Sequence, residues 1–245
     1  MQSDETVLSL EAVTKRFGGL VVLDGIDMVV GRGELVGLIG PNGAGKSTLF
    51  NVMTAIYAPT RGKVRFKGKD ITGAAPHLIC RHGIARTFQL VRTFLTMTAF
   101  ENVMVGAVYG SGGRVRHARE AAEAALDLVG LGAKRNVTTA HMTLSDRRLL
   151  EIARAVASEP ALLLLDEPMA GLNPTEIRQM VDVIRRTRSE KGISILWVEH
   201  KVDAIMKVCS RVVVLDHGVK IADGTPAEIV ANRKVIEAYL GEPAA

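Results

Sequence analysis

Apolar residues follow two rhythms along this chain, and the change between them marks its organisation. Val7 to Lys15 and Val21 to Val30 are rich in Val, Leu and Ile and flank Phe17-Gly18-Gly19, which reads as two antiparallel strands around a turn. Leu35-Val36-Gly37-Leu38-Ile39 is apolar without alternation, the pattern of a strand covered on both faces, and Thr48 to Met53 suits a partly buried helix. Gly62 to Gly68 reads as another strand with turn residues, Pro76 to Arg81 as a short helix, and Ile84 to Phe88 as a strand. From Val91 to Pro160 the spacing becomes helical. Glu101 to Val105, Ala118 to Val129 and Leu149 to Ala157 predict helices, with loops at Ser111-Gly112-Gly113 and Gly130-Leu131-Gly132. Buried strands then return at Ala161 to Leu165 and Ser194 to Val198. Helices are predicted from Pro174 to Ser189 and from Val202 to Lys207, and a hairpin joins Arg211–Leu215 to Val219–Ala222 around His217-Gly218.

These elements predict an α/β fold in one domain spanning residues 1–245. A core with a small antiparallel β layer is expected over 1–90 and 160–245, and an inserted helical subdomain over 91–159. Composition narrows the picture only slightly. The chain is 47% hydrophobic and 23% charged, with no sign of disorder. Its net charge of +5 comes from scattered basic residues, and with aromatics at 4% no stacking platform for nucleic acid is evident, so no nucleic-acid partner is expected. No uninterrupted apolar run approaches the length that crosses a bilayer, and the start Met-Gln-Ser-Asp-Glu lacks the basic, then apolar character of a secretory signal. Cys80 and Cys209 have no metal-ligand spacing and read as reduced thiols.

Chemistry enters at Gly40 to Ser47, which is G-x-x-x-x-G-K-S set between a buried strand and a helix. Gly40, Gly43 and Gly45 allow a tight turn whose amides approach phosphate oxygens, and Pro41, Asn42 and Ala44 complete the loop. Lys46 supplies a point charge for β- and γ-phosphates, the Ser47 hydroxyl suits Mg²⁺, and Thr48 follows in the helix whose positive end faces the anion. Asp166 and Glu167 end the strand Ala161 to Leu165, where ligands bind in open α/β sheets. Asp166 would reach Mg²⁺, and Glu167 would polarise a water for attack on the γ-phosphate. His200, ending another apolar strand, would contact that phosphate. Gln89, where the core gives way to the helical block, would offer a neutral oxygen that couples the metal to motion of the block.

With these residues in order, the chain resembles, end to end, the ATP-binding subunits of ABC transporters. The resemblance matches Gly40 to Ser47 to the Walker A motif, Gln89 to the Q-loop, Leu162 to Asp166 to Walker B with Glu167 as catalytic base, and His200 to the switch histidine. It places Phe17 against adenine and implies a P-loop NTPase, ABC-type ATPase core, RecA-like in architecture, with ATP and Mg²⁺ as ligands. Ala170 to Glu176, the Val198-Glu199-His200 ending and the tail from Gly224 to Glu242 are similar to the branched-chain amino acid importer group. That group implies two transmembrane permease subunits, a solute-binding protein reached through them, and a peripheral position on the cytoplasmic face of the inner membrane. One motif departs. Where the family carries Leu-Ser-Gly-Gly-Gln, the ungapped frame reads Met142-Thr143-Leu144-Ser145-Asp146 before a helix expected from Leu149. Thr143 keeps a hydroxyl, Leu144 and Ser145 occupy the middle, and Asp146 sets a carboxylate at a helix N-terminus, where it would compete with phosphate. Arg147 and Arg148 are expected to offset that charge. Because the family joins one chain's Walker motifs to another chain's signature, a heterodimer with a second ATPase subunit of orthodox signature is expected.

Overall fold

A computed structural model of the chain describes residues 5–110 and 114–240, so the loop expected at Ser111-Gly112-Gly113 lies outside the described residues. The chain divides into two compact units, Met1–Ile79 with Ser194–Ala245, and Cys80–Ile193.

The first unit opens with β1 (Thr6–Phe17) and β2 (Leu20–Gly31), antiparallel around Gly18-Gly19 with Phe17 opposite Leu20. Val7, Leu8, Leu10 and Val13 of β1 and Leu23, Ile26, Met28 and Val30 of β2 are buried, so the alternation that predicted the strands also sets which face is covered. β3 (Leu35–Ile39), buried at every position, leads through the glycine loop into α1 (Lys46–Met53). β4 (Arg61–Phe66) and the short β5 (Lys69–Asp70) complete a four-stranded antiparallel sheet in the order β2-β1-β4-β5. This is the β layer the sequence pattern predicts. Helix α2 (Pro76–His82) follows.

The second unit carries β6 (Ile84–Arg86), shorter than the strand expected to Phe88, then α3 (Ala99–Gly110) and α4 (Val115–Leu128). Helix α5 (Leu144–Val156) starts five residues earlier than the sequence spacing indicates, for a reason given below. β7 (Leu162–Asp166) pairs parallel with β6, and α6 (Pro174–Lys191) starts behind Asn173, whose side chain caps the amides of Thr175 and Glu176. Ala118, Ala122 and Ala125 of α4 are all buried; small residues at helical spacing let the helices of this unit pack closely.

The chain then returns to the first unit with β8 (Ser194–Val198), α7 (Val202–Val208), β9 (Arg211–Asp216) and β10 (Val219–Gly224). β8 and β9 flank β3 in parallel, while β10 runs antiparallel to β9. A Cβ on Gly37 would meet Ile205 Cγ2 at 2.3 Å, so a glycine in mid-strand lets α7 lie against β3. Two helices not anticipated from the pattern, α8 (Pro226–Ala231) and α9 (Arg233–Leu240), end the described chain.

Candidate functional site

In the first unit the phosphate loop is wedged between β2 and the β9–β10 hairpin. A Cβ on Gly40 would meet the Leu215 carbonyl oxygen at 2.1 Å, and one on Gly45 would meet Leu23 Cδ2 at 2.8 Å and the Val22 carbonyl oxygen at 2.9 Å. Gly43, at φ 82°, has open space where its Cβ would be, so only its backbone conformation demands glycine. Two of the three glycines assigned to phosphate approach are thus also required by packing. The Gly218 amide donates to the Ala44 carbonyl at 3.2 Å, which fixes the loop's far side.

Helix α1 starts behind Gly45, with no side-chain cap and no acidic residue in its first turn. A helix start of this kind carries partial positive charge, which favours an anion. Lys46 is buried, and its ammonium donates to the carbonyls of Gly40 at 2.6 Å and Pro41 at 2.8 Å. Asn42 and Ser47 are exposed, Pro41 and Thr48 half-buried, and Ala44 buried.

Leu38 pairs with Val198, so Gly40 and His200 each lie two residues beyond the same rung, at one carboxyl edge of the β3–β8 pair. His200 is exposed there. At the end of β1, Phe17 meets Tyr57 edge to face, with centroids 5.1 Å apart, and the Lys15 ammonium lies 4.9 Å and 5.5 Å from the two rings. Both rings are more than one third exposed. Tyr57 lies four residues past α1 in an irregular stretch, and no local pattern distinguishes it in the sequence. Tyr239 of α9 is a second residue the sequence reading did not place in the site. Burial pushes its hydroxyl up, and a hydrogen bond with the Gly40 backbone draws it part of the way down.

In the second unit Arg86 sits opposite Leu164, which brings the segment after β6 to the acids that end β7. Asp166 and Glu167 are only 4% and 8% exposed. Arg86 Nη2 lies 2.7 Å from Asp166 Oδ2, and Gln89 Nε2 donates to Glu167 Oε2 at 3.0 Å. Glu167 has φ 49°, a left-handed conformation that costs a residue with a Cβ about 1–3 kcal/mol and concentrates at functional positions. Helix α5 holds the same segment from behind: Arg148 Nη1 donates to the Phe88 carbonyl at 3.3 Å, and Glu151 Oε1 accepts the Arg92 amide at 2.7 Å. Burial pushes the Glu151 carboxyl up, against the pull of the Arg92 amide and of Arg154 and Arg148. Gln89 thus sits in a strap anchored on both sides. Arg86 and Glu151 escaped the sequence reading, and Arg148 was expected beside Asp146 instead, because their partners are distant in the chain or are backbone atoms.

The departed signature is explained by capping. Thr143 is the N-cap of α5. Its hydroxyl accepts the Asp146 amide at 3.1 Å, and the Asp146 carboxylate accepts the Thr143 amide at 3.3 Å. This capping box starts the helix at Leu144 rather than at Leu149. The charge of Asp146 is offset by Lys134, whose ammonium lies 2.7 Å from both carboxylate oxygens, and not by the two arginines beside it. Arg147 donates instead to the carbonyls of Thr139 and Ala140, and Arg148 turns inward to Phe88. Burial alone would raise the Asp146 carboxyl, but the hydrogen bonds from Lys134 and Thr143 outweigh it and hold the group below the ordinary range. Leu144 is exposed and Ser145 buried.

Among the described residues no group of three or more His, Cys, Asp or Glu side chains could hold a metal ion, so no all-protein cage for one is built. Ser47, Gln89 and Asp166 offer hydroxyl, amide and carboxylate oxygens. Such hard donors suit Mg²⁺, which takes one or two protein ligands and completes its shell from phosphate and water.

A strand–glycine loop–helix unit with an uncapped helix start, and acids ending a parallel strand, define the P-loop NTPase class. The chain belongs to the ABC transporter family, whose pattern it matches over residues 23–170, and residues 219–245 match the branched-chain amino acid ATP-binding cassette transporter family. It is 40% identical over 250 residues to the high-affinity branched-chain amino acid transport ATP-binding protein BraF of Pseudomonas aeruginosa, covering 96% of this chain and 98% of that one. It is 36% identical over 252 residues to the corresponding LivG protein of Escherichia coli K12, covering 97% and 99%. Among solved structures it is similar to a nucleotide-free ATP-binding cassette from an ABC transporter, with TM-score 0.87 and 30% identity over 97% of this chain and all of the other. An ADP conformation of such a cassette gives TM-score 0.86 and 30% identity over 97% and 99%.

Proposed function

We propose that this chain binds and hydrolyses ATP to power an importer of branched-chain amino acids or related amphipathic solutes. The observation that carries this reading is the buried acid pair ending β7, with Gln89 on the Glu167 carboxylate, in a chain whose relatives are branched-chain amino acid transport proteins. A regulatory or nucleic-acid-associated ATPase of the same family is not favoured, because the similarity to transport subunits runs the length of the chain.

In this reading Phe17, with Tyr57 behind it, packs on adenine, and Gly40 to Thr48 wrap the phosphates while Lys46 exchanges its carbonyls for phosphate oxygens. Glu167, released by Gln89, takes the proton of the attacking water, and His200 holds the γ-phosphate. Mg²⁺, when bound, neutralises charge building on the phosphates, with Ser47, Asp166 and Gln89 as its protein-side oxygens. Catalysis is positioning and charge stabilisation, with no covalent intermediate. We assign 91–159 as the helical subdomain that passes motion to two permease subunits, fed by a solute-binding protein, at the cytoplasmic face of the membrane. No helix among the described residues is long and apolar enough to cross a membrane, which fits a peripheral subunit.

Thr143 to Asp146 would face the partner subunit's ATP. Since Asp146 already caps that helix, the chain would pair with a second ATPase subunit whose own signature completes the Glu167 site. Steady-state turnover tests both levels. Glu167→Gln should lower kcat by about 10²-fold or more, and a variant as fast as wild type would end the catalytic assignment. An equimolar mixture with the sister subunit should hydrolyse faster than this chain alone; equal rates would end the heterodimer.

A further inference from the structure

Asp166 is assigned above to a Mg²⁺ that arrives with ATP, and the inference here rests on that reading. Its carboxylate already has a full positive charge at contact distance. Arg86 Nη2 stands 2.7 Å from Asp166 Oδ2, and the two side chains are 8% and 5% exposed. The guanidinium has little freedom to leave. Arg86 closes β6 in register with Leu164, and its guanidinium carbon lies 5.1 Å from the centre of the Phe88 ring. The Asp166 amide is held as well, donating to Thr87 Oγ1 at 3.3 Å one residue beyond Arg86. A dication approaching Asp166 therefore meets a buried like charge within a few bond lengths, where repulsion is weakly screened.

We propose that Arg86 is a built-in counter-ion that competes with the divalent cation for Asp166. It keeps the carboxylate aimed, and it makes metal binding conditional on nucleotide. The phosphates supply the negative charge that offsets the guanidinium, so metal and nucleotide enter together and the metal alone binds poorly. Arg86 is in this sense a positioning residue: it acts through Asp166.

The test is a Mn²⁺ titration of the full-length chain followed by the electron paramagnetic resonance signal of free Mn²⁺, with and without an ATP analogue. Wild type without nucleotide should bind Mn²⁺ weakly. Arg86→Gln should bind it about tenfold more tightly or better without nucleotide, since one unit of nearby repulsion is removed. Arg86→Lys keeps the charge and should stay near wild type, and Arg86→Gln combined with Asp166→Asn should lose the gain. The thermal midpoint of Arg86→Gln should fall in metal-free buffer and recover when Mn²⁺ is added, a coupling wild type lacks. An unchanged Mn²⁺ affinity in Arg86→Gln overturns the proposal. So does wild type binding Mn²⁺ as tightly without nucleotide as with it, a measurement that decides even if Arg86→Gln fails to fold. The underlying reading fails separately: Asp166→Asn binding Mn²⁺ with nucleotide as tightly as wild type would mean that Asp166 is not a metal ligand.

Discussion

Helix α1 begins at Lys46 behind a glycine, with no side chain on its first amides and no acid in its first turn. Helix α5 begins at Leu144 behind a threonine in a closed capping box, and the carboxylate of that box carries Lys134 as well. Each is a helix start that the family's motifs assign to a phosphate. The difference teaches that a helix dipole is not by itself an anion site: the amides must be left unmet by the chain's own groups. At α1 they are. At α5 the Thr143 hydroxyl already accepts the Asp146 amide while the Asp146 carboxylate accepts the Thr143 amide, and a phosphate arriving there must displace a cap worth about 1 kcal/mol.

Closing the open end should have the largest effect. Gly45→Ala would force a Cβ against Leu23 and Val22 at φ 99°, and binding of a fluorescent ATP analogue should weaken by about a hundredfold or more. Binding within threefold of wild type would mean that the wedge against β2 does not shape the loop. Opening the closed end comes next. Asp146→Ala removes a cap and the Lys134 pair, and should lower stability to denaturant by about 1–2 kcal/mol, with the half-exposed lysine contributing the lesser part.

The pH dependence follows in size. The Asp146 carboxyl is held below its ordinary value, so its contribution to stability is complete above the unfolded-state value, and it is lost as pH falls through the lower folded one. Asp146→Asn should therefore flatten the acid limb of a stability–pH profile and leave it unchanged at neutral pH and above in shape. An identical acid limb in both proteins would place the proton uptake elsewhere. The smallest effect belongs to Tyr239→Phe, which removes one hydrogen bond to the Gly40 backbone. It should weaken ATP binding by no more than about tenfold, the worth of one such bond, and calorimetry can measure the change.

Much of the fold was readable because its signals are local. The buried runs at Leu35–Ile39, Leu162–Asp166 and Ser194–Val198 need only a few neighbours in sequence to declare themselves. The start of α5 was misplaced because Ser145 and Asp146 look like loop residues until Thr143 is seen to accept from the Asp146 amide. Helices α8 and α9 were missed although Thr225 and Glu228 form a capping box with Pro226 at the first helical position, because two short helices carry little apolar periodicity.

Adjacency along the chain was enough to fix the strand–glycine loop–helix unit, the acids at the end of β7, and the residue types available for phosphate and metal, since these depend on backbone preference and local order. Tertiary structure alone decided which charge meets which. Arg86 finds Asp166 across 80 positions, and Lys134 finds Asp146 from beyond the helix it serves. It also decided that Gly40 and Gly45 must be glycine for want of room against Leu215 and Leu23. A Coulomb or steric partner is chosen by distance in space, and that distance exists only once strands have paired and helices have packed.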